Sequence, residues 1–213
     1  MAVPKARILV ADDERNIRKN LGLVLAAAGH AVDEAKDGDE ALDLCKQNHP
    51  DIAFVDLHMP KMEGLKVLEH IRALSPKTAV VIITAYGSAA NAVEAMKLGA
   101  VDFLEEPFDP KMIGILTEEI LIRRQSESKG TFDELMHLAD LARQRNALLE
   151  ARNYLKSAMV QAADRPEPYY WLGNLCETEG DQKSAVQYYY MAVSAYHTYE
   201  PALEALKRLG KLH

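Results

Sequence analysis

Acidic and hydroxyl side chains stand at the ends of successive apolar segments in the first half of this chain. They are Asp12 and Asp13 after RILVA, Asp56 after DIAFV, Thr84 after AVVII, and Glu106 shortly after VDFL. Because parallel strands of an open sheet direct their carboxyl ends to one edge, residues far apart in sequence meet there. The sequence therefore predicts a clustered acidic pocket.

The first half alternates short β-branched segments with longer amphipathic ones. The predicted strands are residues 7–11, 31–35, 51–55, 79–83 and 101–104. The predicted helices between and after them are residues 14–28, 38–48, 64–74, 88–98 and 110–125. This alternation predicts a doubly wound α/β domain with five parallel strands.

The composition changes near residue 125. Residues 126–130 read SESKG, a short polar segment typical of a linker, and the sequence beyond it is helical in pattern without β-branched runs. We therefore predict a first domain at residues 1–125, a linker at 126–130 and an all-helical domain at 131–213.

The second half repeats itself at a constant offset of 34 residues. The matching pairs are Leu138 and Leu172, Ala139 and Gly173, Ala151 and Ala185, Leu155 and Tyr189, and Ala158 and Ala192. The small residues allow two helices to approach closely and the larger ones fill the space between them, so each unit is predicted to be a helix hairpin. Two unrelated amphipathic hairpins of an ordinary bundle are the alternative.

The period and the pattern of this half resemble the tetratricopeptide repeat. The residues at typical motif positions are Tyr169, Leu172, Gly173, Ala185, Tyr189 and Ala192. The resemblance implies two repeats over about residues 131–200, followed by a capping helix at residues 201–212.

The acidic residues of the first half carry a second resemblance. The motifs are Asp12-Asp13, Asp56 followed by Met59-Pro60 and Gly64, Thr84-Ala85, and Glu106-Pro107-Phe108. In combination, over about residues 5–125, they resemble the receiver domain of two-component response regulators, which has a flavodoxin-like fold. The resemblance implies a bacterial phosphorelay protein that takes its phosphoryl group from a histidine kinase.

Clustered carboxylates repel one another and favour a hard divalent cation bound through oxygen, usually Mg²⁺. A carboxylate beside that cation can attack a phosphoryl group. By resemblance, Asp56 is the phosphoacceptor, Asp13 and Asp56 ligate Mg²⁺ with the backbone carbonyl of His58, and Asp12 assists. Thr84 is then the residue that donates a hydrogen bond to a phosphoryl oxygen.

Three residues with aromatic rings are predicted to lie at or near the pocket. Phe103 stands at the position of the switch aromatic on the fifth strand, with plain core packing as the alternative. His58 and Tyr86 flank the pocket, two residues after Asp56 and Thr84 respectively, and the resemblance implies that they influence access of water to an acyl phosphate.

Glu106 departs from the receiver pattern, which has a Lys before the proline. At about 4 Å, reversing the sign of one charge replaces an attraction of about 4 kcal/mol with a repulsion of similar size, at an effective dielectric constant of about 20. Three outcomes are open: Glu106 joins the metal site as an oxygen ligand, it pairs with a nearby base, or the pocket no longer accepts phosphate. We expect that Asp56 can still be phosphorylated, but less readily and with support from the metal.

Composition excludes several other classes of function. Lys and Arg number 25 against 32 Asp and Glu, for a formal net charge of −7, so the basic footprint of a nucleic-acid binder is absent from the sequence. Cys45 and Cys176 are far apart and lie in apolar helical patterns, which favours reduced, buried thiols. The amino terminus lacks the pattern of a secretion signal and the longest apolar run is too short to span a bilayer, so we expect a cytoplasmic protein without a membrane partner.

The helical half predicts a protein-binding output. Helix-hairpin repeats present a concave face suited to a peptide. By the repeat pattern that face carries Met136, Asp140, Arg143, Tyr170, Asn174 and Glu177. The prediction is a phosphorylation-regulated, non-enzymatic signalling protein. A phosphorylation-independent pseudo-receiver scaffold is the alternative, and homodimerisation through residues 89–99 and the fifth strand is common in receivers.

Overall fold

The computed structural model describes residues 5–85, 87–125 and 130–212. These residues divide into two compact units, with the division between Leu121 and Ile122. Most of the predicted linker, residues 126–129, and Tyr86 lie outside the described residues.

The first unit alternates strands and helices as predicted. Its strands are β1 (Arg7–Ala11), β2 (Ala31–Ala35), β3 (Ile52–Asp56), β4 (Ala79–Thr84) and β5 (Asp102–Glu105). Its helices are α1 (Arg15–Ala27), α2 (Gly38–Asn48), α3 (Gly64–Leu74), α4 (Ala89–Lys97) and most of α5 (Pro110–Gln125), whose residues 122–125 lie past the division. The strands form one parallel sheet in the order β2-β1-β3-β4-β5, which confirms the predicted five-stranded α/β architecture.

Each face of the sheet is covered by helices. One core contains residues of α1 and α5, and the other contains residues of α2, α3 and α4. Along β3, Ile52 and Phe54 belong to the first core and Ala53 and Val55 to the second, as the two-residue period of a strand requires. β1, β3 and β4 are buried along nearly their whole length, and each is therefore a continuous apolar run that is readable in the sequence.

The boundaries differ slightly from the predicted ones. β3 and β4 each end one residue later, so Asp56 and Thr84 are the last residues of their strands. α4 begins after Ser88, whose side chain accepts a hydrogen bond from the Asn91 N–H group and acts as its N-cap.

The second unit is helical in its described residues. Its helices are α6 (Phe132–Gln144), α7 (Leu148–Gln161), α8 (Glu167–Thr178), α9 (Gln182–Ala195) and α10 (Glu200–Arg208). Helices that are neighbours in this order contact one another. α10 ends before the predicted residue 212, with Leu209 as its C-cap.

The residues that recur at the 34-residue offset are buried in this unit. Gly173 lies against the ring of Tyr189, where a β-carbon would stand only 2.6 Å from a ring carbon. The small residues therefore permit the close helix contacts that the sequence pattern predicts. No helix in the described ranges is both long and apolar enough to cross a lipid bilayer.

Candidate functional site

A pocket opens at the carboxyl edge of the sheet, between the ends of β1, β3, β4 and β5. Its wall consists of Asp12, Asp13, Glu14, Ile17, Asp56, His58, Thr84, Ala85 and Glu106. The parallel sheet thus collects the acids and the hydroxyl that follow separate strands into one site.

Three carboxylates converge in this pocket. Asp12, Asp13 and Asp56 each place one carboxylate oxygen within 4.8 Å of those of the other two. Asp12 is buried and Asp13 is exposed, with Asp56 between these extremes. The Glu14 N–H group donates to Asp12 at 2.7 Å, and the His58 N–H group donates to Asp56 at 3.3 Å. Such a set of oxygen atoms suits a hard divalent cation.

Burial and neighbouring charges disfavour ionisation of Asp12 and Asp56. Burial raises the pKa of Asp12 to about 7, against the hydrogen bond from Glu14, and the charges of Asp56, Glu106 and Asp13 act in the same direction as burial. Burial likewise raises the pKa of Asp56, and the charge of Asp13 adds to this effect. Positive charge in the pocket would relieve this repulsion.

Glu106 is part of the pocket wall but not of the converging trio. Its N–H group donates to the Thr84 carbonyl at 2.8 Å, which sets its backbone beside the end of β4. Burial raises the pKa of Glu106, followed by the charges of Asp56 and Glu14. Among the described residues, no Lys, Arg or His lies within ion-pairing distance of it. The carboxylate therefore adds to the negative charge of the pocket.

The remaining predicted residues surround the trio in different ways. Thr84 is fully buried and lines the pocket, whereas His58 lines it from an exposed position. Phe103 is partly buried and packs against the core under α2, α3 and α4. A β-carbon on Gly87 would lie 3.2 Å from the Phe103 ring, so the chain after β4 passes directly beside that ring.

Two further residues bear on the geometry of the site: Arg18, which has only a weak sequence signal, and Gly64, which belongs to the motif that follows Asp56. Arg18 donates from Nη1 to the carbonyl oxygens of Asp12, at 2.6 Å, and of Asp13, at 3.0 Å. A β-carbon at Gly64 would lie 2.2 Å from the carbonyl oxygen of Asp56, so glycine is required where α3 begins. The spacing of Arg18 from the two acids is the only sequence signal for its contact, since a helical Arg has many alternative partners.

The predicted peptide-binding residues lie on two helices of the second unit. Met136, Asp140 and Arg143 are on α6, and Tyr170, Asn174 and Glu177 are on α8. Arg143 pairs with Asp140 at 3.2 Å and stacks on the Trp171 ring, with Cζ 3.7 Å from the ring centroid.

Tyr170 and Glu177 have contacts with the helices that follow. The Tyr170 ring lies 5.8 Å from that of Tyr189 and 5.9 Å from that of Tyr199, centroid to centroid. Glu177 accepts hydrogen bonds from Tyr189 and Arg208. Tyr170 and Glu177, two of the three α8 residues of the predicted face, therefore have partners within the unit itself.

A parallel five-stranded sheet with converging acids at its carboxyl edge defines a receiver-type module. The chain belongs to the response regulator receiver domain family, whose sequence profile matches residues 8–116.

Individual relatives match the same part of the chain. The regulatory protein AtoC of Escherichia coli (strain K12) is 37% identical over 132 residues, which cover 62% of this chain and 28% of AtoC. The response regulator MprA of Mycobacterium sp. (strain KMS) is 35% identical over 135 residues, 63% of this chain and 58% of MprA. The chain therefore spans less than two thirds of either relative.

A solved structure confirms the fold of the first unit. The CheY-like receiver domain protein of Methanospirillum hungatei JF-1 superposes with a TM-score of 0.57 at 27% identity, covering 59% of this chain and all of the other. The matches to these three proteins each cover less than two thirds of this chain.

Proposed function

We propose that the first unit is a phosphoacceptor whose acceptor is Asp56. The observation that carries the proposal is the convergence of the Asp12, Asp13 and Asp56 carboxylates beside the buried Thr84. In the reaction, a carboxylate oxygen of Asp56 forms a bond to phosphorus. The bond from phosphorus to the donor breaks, and the donor keeps the electron pair. A phosphohistidine on a histidine kinase is the proposed physiological donor.

The pocket residues fit a divalent cation, and we assign Mg²⁺ to them. Asp13 and Asp56, with the backbone carbonyl of His58, are the proposed ligands, and Asp12 assists from its buried position. When bound, the cation would offset the charge on the transferring phosphoryl oxygens. Thr84 would donate its hydroxyl proton to one of these oxygens, and movement of Thr84 would make space for Phe103.

Glu106 weakens this chemistry without removing it. A receiver Lys would attract both the acceptor and the phosphoryl group, whereas the Glu106 carboxylate repels both. Phosphorylation of this chain therefore depends more strongly on the cation, and the acyl phosphate has a shorter lifetime.

The output of the proposed switch is protein binding by the second unit. Its residues 131–200 are two tetratricopeptide-like repeats capped by α10, with residues 126–130 as the linker. The buried small residues at the 34-residue offset support this assignment. The peptide face would consist of the six residues on α6 and α8 named above, and the Arg143–Trp171 stack would form part of it.

A second candidate function is a scaffold with a phosphorylation-independent receiver. The observation in its favour is that Glu106 lines the pocket without an ion-pair partner among the described residues.

Intact-mass measurement separates the two candidates. The full chain is incubated with Mg²⁺ and acetyl phosphate, alongside Asp56→Asn and Glu106→Lys variants. We expect the wild type to gain one phosphoryl group, Asp56→Asn to gain none, and Glu106→Lys to gain it faster or hold it longer. If the wild type gains nothing while Glu106→Lys does, the scaffold function is the correct one.

A further inference from the structure

The loop between β1 and α1 contains two backbone carbonyls outside the sheet ladder. Strand pairing ends at Ala11 and helix α1 begins at Arg15, so the carbonyls of Asp12 and Asp13 lie between the two regular elements. Backbone polar groups in such a loop need other partners to hold the chain in one conformation. Arg18 supplies a donor to both carbonyls from a single nitrogen.

We infer that Arg18 is a positioning residue that holds the Asp12 and Asp13 carboxylates in register with Asp56. The inference rests on the proposed function, because the three acids are the proposed cation site. Asp13 is the exposed member of the trio, and the packing that fixes the buried Asp12 does not extend to it. The hydrogen bonds from Arg18 hold the backbone of both residues, and the position of the backbone determines where the two carboxylates lie.

The contact also links the loop to the helix that follows it. Arg18 lies on the first turns of α1, and its own N–H group donates to the Glu14 carbonyl at 3.1 Å. The N-cap residue Glu14 makes no side-chain cap bond. Among the described residues of this region, the Arg18 side chain thus connects helix α1 to the backbone of the two acidic residues by hydrogen bonds.

The direction in which Mg²⁺ affinity changes when Arg18 is replaced distinguishes a positioning role from a purely electrostatic one. Removing a guanidinium beside an anionic pocket would, by charge alone, strengthen the binding of Mg²⁺. Loss of positioning would weaken it, and loss of an outer partner of a metal site typically costs about tenfold or more in affinity. The two explanations therefore predict opposite changes.

Arg15 provides the matched control. It lies on the same helix one turn earlier and is exposed, and among the described residues it makes no hydrogen bond to Asp12 or Asp13. Arg15→Gln and Arg18→Gln remove the same charge, but only the second removes the two hydrogen bonds to the loop.

The test is calorimetric titration of the full chain with Mg²⁺, combined with amide exchange of the Glu14 N–H group. That group donates to Asp12 and reports the conformation of the loop without any metal. We expect Arg18→Gln to lose about tenfold in Mg²⁺ affinity and to exchange the Glu14 amide faster. Arg15→Gln is expected to keep or slightly raise the affinity and to leave the amide unchanged. If Arg18→Gln does not fold, Arg18→Lys replaces it, with the same expected directions.

The outcomes separate this inference from the proposed function. Mg²⁺ affinity and Glu14 exchange that are the same in the Arg18 and Arg15 variants would overturn the role of Arg18. A wild type that binds no Mg²⁺ would overturn the cation site. In that case, faster exchange of Glu14 in the Arg18 variant alone would still support the role of the Arg18 hydrogen bonds, and unchanged exchange would refute both.

Discussion

Arg208 holds Glu177 with both terminal nitrogens of its guanidinium group, at 3.0 and 2.8 Å. The pair joins α10 to α8, and Tyr189 of α9 donates to the same carboxylate. Three successive helices therefore meet at one side chain. A bidentate Arg–carboxylate contact is among the stronger forms of ion pair.

Replacing Arg208 with Gln is expected to lower the free energy of unfolding of the second unit by about 1 kcal/mol, since the Arg208 side chain is largely exposed. Urea unfolding followed by Trp171 fluorescence measures this. Lys207→Gln, which removes an equal charge from the adjacent exposed position, is the control and is expected to change little.

The Arg208–Glu177 contact also predicts that the stability of the second unit depends on pH in the acid range. The hydrogen bond from Arg208 is the largest of the influences that hold the pKa of Glu177 below its usual value of 4.5. A lowered folded-state pKa stabilises the unit above the unfolded-state value, and this stability is lost as the pH falls through the folded-state pKa. In Arg208→Gln this acid dependence is expected to flatten, and an unchanged acid limb would contradict the assignment.

The burial of His30 predicts that the stability of the first unit also depends on pH. Its Nδ1 accepts a hydrogen bond from the Ala6 N–H group at 3.3 Å, and burial lowers the pKa of His30 from 6.5. The folded unit therefore favours the neutral ring. Its contribution to stability is present above about pH 6.5 and falls as the pH drops through the lower folded-state pKa. Denaturant unfolding followed by circular dichroism should show this loss, and His30→Gln should remove it.

Replacing Thr117 of α5 with Val is expected to stabilise the protein. Its side chain is fully buried, and its hydroxyl has no hydrogen-bond partner among the described residues. Thr117→Val should raise the free energy of unfolding by about 1 kcal/mol, because an unpaired buried hydroxyl is removed at similar volume. Thr78 is the control, since its buried hydroxyl donates to the Pro50 carbonyl at 2.7 Å. Thr78→Val should destabilise the protein, and changes of the same sign in both variants would refute the explanation.

Gly173→Ala should destabilise the second unit by about 2 kcal/mol, since the new methyl group would overlap the fully buried Tyr189 ring. At Gly114 of α5, no atom of the described residues outside its own stretch of helix backbone lies within 4 Å of a β-carbon position. Gly114→Ala should therefore raise stability by about 0.5–1 kcal/mol through helix propensity alone. Thermal unfolding of the two variants should give midpoint shifts of opposite sign.

Glu106→Gln should affect cation binding and phosphorylation in opposite directions. Removing one negative charge from the pocket should weaken Mg²⁺ binding several-fold and speed phosphorylation by acetyl phosphate, because the anionic donor is repelled less. Calorimetry and intact mass measure the two effects. Glu105→Gln is the control, since Glu105 is exposed and lies outside the pocket wall. Parallel changes in affinity and rate would contradict this electrostatic role.

Strand ends are readable from the amino-acid sequence because buried parallel strands are continuous apolar runs, and the residue that follows each run must lie at the sheet edge. The apolar runs alone therefore assign Asp12, Asp56 and Thr84 to one pocket. Asp56 and Thr84 end their strands rather than follow them, a difference of one residue at the end of a hydrogen-bonded ladder.

Contacts made by long polar side chains are not predictable in the same way. The Arg18 bonds to two carbonyls and the Arg208 bonds to Glu177 follow from loop conformation and helix packing, and neither has a periodic pattern. The charge of Glu106 is visible in the sequence. The sequence also predicts its place at the pocket, but not its separation from the converging trio, which depends on how the end of β5 turns toward α5.

The stack of Arg143 on Trp171 has a spectroscopic consequence. Trp171 is the single tryptophan of the chain and lies in the second unit, with a cation over its face and the Tyr170 ring at its edge. Emission excited at the red edge of the indole band therefore reports on the second unit alone. Any change in this signal when the first unit is phosphorylated would measure communication between the two units without an attached dye.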